Sequence, residues 1–159
     1  MFCDTHCHIL SEYYEDIESV LKEAKEAGVS RVINAGYNYE SSKEVIELVK
    51  KYPEMYGVVG LHPENIDEKF DYTIFDNLDK KIVGIGEIGL DYYWNTENKE
   101  IQKKAFIEQI KLANELDLPI VIHTRDAVMD TIKILKENEV KNRGVFHCCP
   151  QNRELIKEG

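Results

Sequence analysis

The chain has 159 residues, 43% hydrophobic and 31% charged, which is enough for one domain with its own core. A formal net charge of −10 argues against a module that grips nucleic acid through a basic surface, since that affinity comes from phosphate neutralisation. It leaves open an enzyme that acts on phosphodiesters through bound cations, which supply positive charge locally.

No apolar run approaches a membrane span, and the N-terminus lacks a basic segment followed by an apolar one. Cys3, Cys7, Cys148 and Cys149 do not have the spacing of a secreted disulfide framework. A cytoplasmic protein with no membrane contact is therefore expected.

In chain order, Met1–Ile9 reads as a strand whose side chains alternate faces, so that Asp4, His6 and His8 share one face and Cys3, Thr5, Cys7 and Ile9 the other. Two imidazoles at that spacing lie about 6–7 Å apart along a strand, close enough to converge on one ion. Cys3 and Cys7 are read as small buried hydrophobes. Ile17, Val20, Leu21, Ala24 and Ala27 then fall at helical spacing, with Gly28 as the stop. A second strand covers Arg31–Gly36. Ser41 with Glu44 gives a capping-box signature for a helix that buries Val45, Ile46 and Val49 and ends at Pro53. Strand three is Met55–Leu61, running into His62-Pro63, and a helix is expected over Tyr72–Leu78. Strand four is Ile82–Asp91. After a long loop comes a helix from about Glu97 to Leu116, with Ile101, Ala105, Ile110 and Ala113 as its stripe. Strand five is Pro119–His123, followed by a helix over Val128, Ile132 and Leu135. Strand six is Gly144–His147, and Arg153–Glu158 begins a last helix before Gly159.

Strands alternating with helices mean parallel βαβ units, and the apolar runs of strands three to five fit a sheet covered on both faces. All five histidines sit at or just beyond the C-terminal end of a strand: His6 and His8 on one, His62 on three, His123 on five, His147 on six. Glu87 lies toward the end of strand four, with Asp91 beyond it. Parallel α/β folds bind ligands at that end of the sheet, so these residues point to one shared site.

The motifs Asp4-Thr5-His6-Cys7-His8, Gly60-Leu61-His62-Pro63, Gly86-Glu87-Ile88-Gly89-Leu90-Asp91-Tyr92-Tyr93, Ile122-His123-Thr124-Arg125-Asp126-Ala127 and Val145-Phe146-His147-Cys148 stand in one order along the chain. In this the sequence resembles the TatD family of metal-dependent deoxyribonucleases. The resemblance implies that His6, His8 and Glu87 hold one divalent ion while Glu87, His123 and His147 hold a second, with Glu87 as the catalytic bridge. It implies His62 near the substrate phosphate, where the residues alone also allow a plain turn residue before Pro63. Arg125 beyond strand five suits a phosphate as well, or a plain surface ion pair with Asp126. Asp4 either orients a histidine or is solvated. Two ions about 3.5–4 Å apart can clamp the attacking and leaving oxygens of a phosphodiester. Zinc, manganese or cobalt suits histidine ligands, whereas magnesium prefers oxygen, so the metal is open.

The expected fold is thus a TIM-type (β/α) barrel of the metal-dependent hydrolase kind, incomplete at six of eight strands, with residues 1–159 as a single truncated domain. The family's last two βα units, with a strand-eight Glu-Thr-Asp motif whose Asp completes the first ion's ligands, have no counterpart here. The expected function is hydrolysis of DNA, a transiently bound substrate, with two divalent metal ions. The alternatives are a metal-binding but inactive fragment, or a hydrolase of cyclic amides or a deaminase on the same barrel. Those of the last two kinds that have bridged binuclear sites often use a modified lysine where Glu87 stands. Open edges at strands one and six, and inward-facing Val32, Val58, Val83 and Val121 short of apolar cover, predict self-association or pairing with a separate C-terminal piece.

Overall fold

Short β-branched runs alternate with amphipathic helices, and in the computed structural model, which describes residues 1–66, 70–94 and 96–158, they build a parallel sheet of six strands. The strands are β1 (Phe2–Cys7), β2 (Val29–Ala35), β3 (Met55–Val59), β4 (Ile82–Asp91), β5 (Ile120–Arg125) and β6 (Gly144–Phe146). Each pairs with the next along the chain, so the order is β1-β2-β3-β4-β5-β6. The crossovers are α1 (Ile17–Glu26), α2 (Tyr39–Lys51), α3 (Lys99–Glu115) and α4 (Val128–Glu137), with α5 (Arg153–Glu158) following β6; between β3 and β4 the described residues form two 3₁₀ turns, Pro63–Asn65 and then Tyr72–Phe75. The sheet curls as part of a barrel, far enough for His6 on the first strand to stack on His147 just past the last, with ring centroids 3.5 Å apart. Asn95 in the expected loop and Gly159 lie outside the described residues. No helix among the described residues is long and apolar enough to cross a membrane.

The core has two parts because strand side chains alternate. Between sheet and helices lies the larger one, with Val32, Val59, Ile85, Ile120 and Ile122 from the strands meeting Leu21, Val45, Phe106, Ile110 and Ile134 from the helices. Inside the curl a small cluster joins Ala35, Val58 and Val121, with Ile33 and Val83 against it. Val32 therefore faces the helices, not the interior as expected, because it alternates with Ile33. Val58 and Val121 are buried rather than stripped of cover, since the curl is tight enough to bring them together.

Other expectations are corrected by local chemistry. The second helix starts earlier than Ser41: Asn38, in extended conformation, accepts from the Ser41 N–H at 2.9 Å and Ser41 caps it in return. Glu44 instead accepts from the Ser11 N–H at 2.7 Å. The helix expected over Tyr72–Leu78 shrinks to the second 3₁₀ turn, capped by Asp71. On α3 the buried stripe is Gln102, Phe106, Gln109, Ile110 and Ala113, while Ile101 is exposed. Cys3 is exposed, because β1 is an edge strand; Cys7 is half-buried, and burial pushes its thiol up to about 12. Gly28 stops α1 as expected, at φ +92°.

Candidate metal centre

The strand ends carry the histidines inward. Beyond β1, His8 donates through Nδ1 to the Ala35 carbonyl at 2.9 Å, which leaves Nε2 as the ring's lone-pair nitrogen. That atom lies 3.3 Å from His6 Nε2. His6 Nε2 is also 3.4 Å from Glu87 Oε2, and its Nδ1 is buried without a hydrogen-bond partner among the described residues. Asp4 does not reach a ring; it is exposed and accepts from the backbone N–H of His6 at 3.0 Å.

Glu87, 4% exposed, stands at the middle. Its other oxygen, Oε1, lies 3.3 Å from His123 Nδ1 and 3.9 Å from His147 Nε2. Burial alone would raise its pKa, but hydrogen bonds with His123 and His6 outweigh burial and hold the carboxyl well below the usual range. His123 shows the reverse balance: burial disfavours its charge, yet Glu87 and Asp91 together push its pKa up. Asp91 Oδ2 takes the other ring nitrogen, Nε2, at 2.8 Å. His147 is pushed down by burial. His62 is buried, accepts the Glu64 N–H on Nδ1 at 3.2 Å and meets the His123 ring edge-on at 4.3 Å. Burial pushes it down to about 4.

Two groups of donor atoms lie within 4.8 Å of one another: His6, Glu87 and His147, and His62, Glu87 and His123. This division differs from the expected one, which paired His147 with His123 and left His62 to the substrate. Glu87 is common to both groups. His8 joins through its contact with His6. A cavity of about 290 Å³ opens over His8, His62 and Glu87, walled by Tyr13, Tyr37 and Glu64. Tyr37 donates its hydroxyl to Glu12 and leans edge-on against His8 at 5.7 Å. Arg125 is exposed and stacks on Tyr93 at 3.9 Å; among the described residues it forms no ion pair with Asp126.

What holds these strand ends is a repeated device. Where a strand runs past its partners, its buried backbone N–H and C=O need other partners. Four side chains each supply both. Asn34 accepts from the Ile9 N–H and donates to the Ile9 carbonyl, both at 2.8 Å, next to His8. Ser42 does the same for Gly60 at 3.3 and 3.2 Å. Gln109 clips Leu61, the residue before His62, at 2.7 and 3.1 Å. Gln102 clips Asp91 at 2.8 and 2.9 Å.

The family described as TatD related DNase matches over residues 3–159. The chain belongs to that family. It is 37% identical to the "uncharacterized metal-dependent hydrolase YabD" of Bacillus subtilis over 99% of this chain and 64% of the relative. It is 36% identical to the "putative deoxyribonuclease tatdn3" of Danio rerio over 99% of this chain and 65% of that protein. The crystal structure of the TatD homologue YjjV of Escherichia coli superposes with a TM-score of 0.92 at 30% identity, covering 99% of this chain and 63% of that one. This TatD-family chain thus spans less than two thirds of the length of each of these relatives.

Sequence reading singled out Glu87 and all five histidines of the TatD-family chain, but passed over Asp91 as a partner of His123. A signal existed: Asp91 follows Glu87 by four residues on one strand, an even spacing that puts both on the same face. Gln102 and Gln109 gave none, because polar residues on a helix read as its solvent face.

Proposed function

We propose that this chain carries the metal site of a divalent-metal-dependent hydrolase that cleaves phosphodiester bonds in DNA. The observation that carries the reading is the division of Glu87, with Oε2 turned to His6 and Oε1 to His123 and His147. A bridging carboxylate needs that disposition. The donor chemistry fits as well: His8 presents a bare Nε2 toward His6, and imidazole with carboxylate suits zinc, manganese or cobalt better than magnesium. The carboxylate oxygen each ring faces favours this division over the groups set by donor-atom proximity: His6, His8 and Glu87 would hold one ion and Glu87, His123 and His147 the other. When bound, such ions stabilise the charge that builds on the phosphodiester oxygens.

The chain's own groups do the rest. Glu87 stays ionised, Asp91 fixes the His123 ring, and His62 faces the cavity uncharged at neutral pH. Arg125 offers the edge of its guanidinium to a phosphate while its face rests on Tyr93. With a net charge of −10 the contact with DNA is weak and transient. The name of the Danio rerio relative supports the DNase reading, and four free cysteines support a cytoplasmic setting. A carboxylate at Glu87, rather than a lysine, supports a phosphodiesterase over a cyclic amidase or deaminase.

The test is hydrolysis of a short DNA strand by the purified chain with manganese or zinc, against a chelator control and Glu87→Gln, with bound metal measured by elemental analysis. Metal-dependent cleavage, lost together with metal in Glu87→Gln, is expected. Full metal content in Glu87→Gln would remove the bridge. Tight metal without cleavage would leave a binding protein, and turnover of a cyclic amide instead would favour the other enzyme class.

A further inference from the structure

Beside the centre, the fold leaves aromatic surface uncovered. Past β4 the chain turns on Asp91, whose Oδ1 accepts from the N–H groups of Tyr93 and Trp94 at 2.9 and 3.1 Å. The other oxygen of that carboxylate holds His123. One side chain therefore sets the position of both the centre and the turn. Tyr92 ties the start of the turn down by donating to Asp130 at 2.7 Å. Tyr93 and Trp94 then stand out 53% and 64% exposed, edge to face at 4.7 Å.

Across the β4–β5 ladder, Asp91 is in register with Arg125, two residues past His123 and on the same face of β5. Its guanidinium lies 3.9 Å from the Tyr93 ring centre and 5.5 Å from that of Trp94. Arg125 also acts electrostatically on Glu64, which walls the cavity with His62 and Glu87. An exposed π-surface backed by a cation, one turn from a phosphodiester site, matches a flat heterocycle joined to an anion.

We propose that Tyr93, Trp94 and Arg125 form a stacking platform for a nucleobase of the substrate, seated beside the metal centre on the β4–α3 turn. This rests on the phosphodiester reading above. Every base has a π-face, so the platform takes any base without reading sequence. It gives an acidic protein an apolar hold on a polyanion that its net charge repels. Because the base is gripped off the duplex stack, the ligand is an unpaired nucleotide.

Trp94 is the one tryptophan in the chain, so its fluorescence reports the platform directly. The purified chain, in chelator and low salt, is titrated with the tetranucleotide of thymidine and with an abasic tetramer of equal charge. The intact tetramer should quench Trp94 and bind about 5- to 100-fold more tightly than the abasic one. Tyr93→Ala, checked for folding by circular dichroism, should bring the intact tetramer down toward the abasic affinity. Equal affinity for the two tetramers overturns the platform. So does binding of a labelled tetramer without any change at Trp94. Cleavage of the abasic tetramer with metal separates the two readings. If it is cut yet held as tightly as the intact one, the platform fails and the hydrolase stands. If the intact tetramer stacks on Trp94 and neither is ever cut, the hydrolase fails and the platform stands.

Discussion

Replacing Gln109 by methionine keeps the volume and the helical preference of the position and deletes only its two hydrogen bonds to Leu61. Leu61 is 5% exposed and Gln109 1%, so neither freed backbone group reaches water. An orphaned buried donor or acceptor costs about 1–3 kcal/mol, which makes about 2–6 kcal/mol for the pair. Burying a methyl thioether where an amide was returns about 1 kcal/mol. A net loss of about 3 kcal/mol is therefore expected, a large share of the roughly 5–15 kcal/mol a domain holds. In a chain of this size that lowers the melting temperature by about 6–12 °C. Urea unfolding followed by circular dichroism would read it as a lower midpoint at unchanged slope. Lys111→Met, exposed on the same helix, is the control and should move stability by under about 0.5 kcal/mol. If Gln109→Met matched that control, the clips would be incidental contacts and the strand ends would be held by something else.

Gly89→Ala should cost more than about 3 kcal/mol and weaken metal binding, because the glycine has φ +140° and an added methyl would sit 2.0 Å from the His123 carbonyl oxygen. Normal metal content at wild-type stability would refute it. Calorimetric metal titration of the whole chain should show one tight site, through His123 and His147, and at most one loose one through His6 and His8. Two equally tight sites would reverse that ordering. The exposed edges, β1 from Phe2 to Thr5 and Gly144 and Val145 on β6, should make the chain self-associate or take up a separate C-terminal piece. Light scattering that finds a cooperatively unfolding monomer at micromolar concentration would end that expectation.

Strand ends were the legible part of this molecule, since apolar runs stop abruptly at histidines and carboxylates. His62, Glu87 and His123 could be placed without coordinates for that reason. What escaped was polar burial. Ile101 was taken for core and Gln102 drew no reading at all, although a strand end that outruns its neighbours makes an amide more useful inside than an aliphatic chain. Cys3 was misplaced because a residue's face says nothing of whether the strand has a neighbour on its far side. The stacking of His6 on His147 was not legible either. It depends on how tightly the sheet curls, which no local pattern encodes.

The strictly sequential strand order has a kinetic meaning. Each pairing joins strands that follow one another along the chain, so loop closure is cheap at every step and the sheet can grow strand by strand. The His6–His147 stack is the exception, since its partners lie at nearly opposite ends of the chain. No partial structure that lacks a middle strand can bring them together. That contact must form last, and binding of a spectroscopic metal such as cobalt about Glu87, which needs both strand ends in place, would time the completion of folding rather than its beginning.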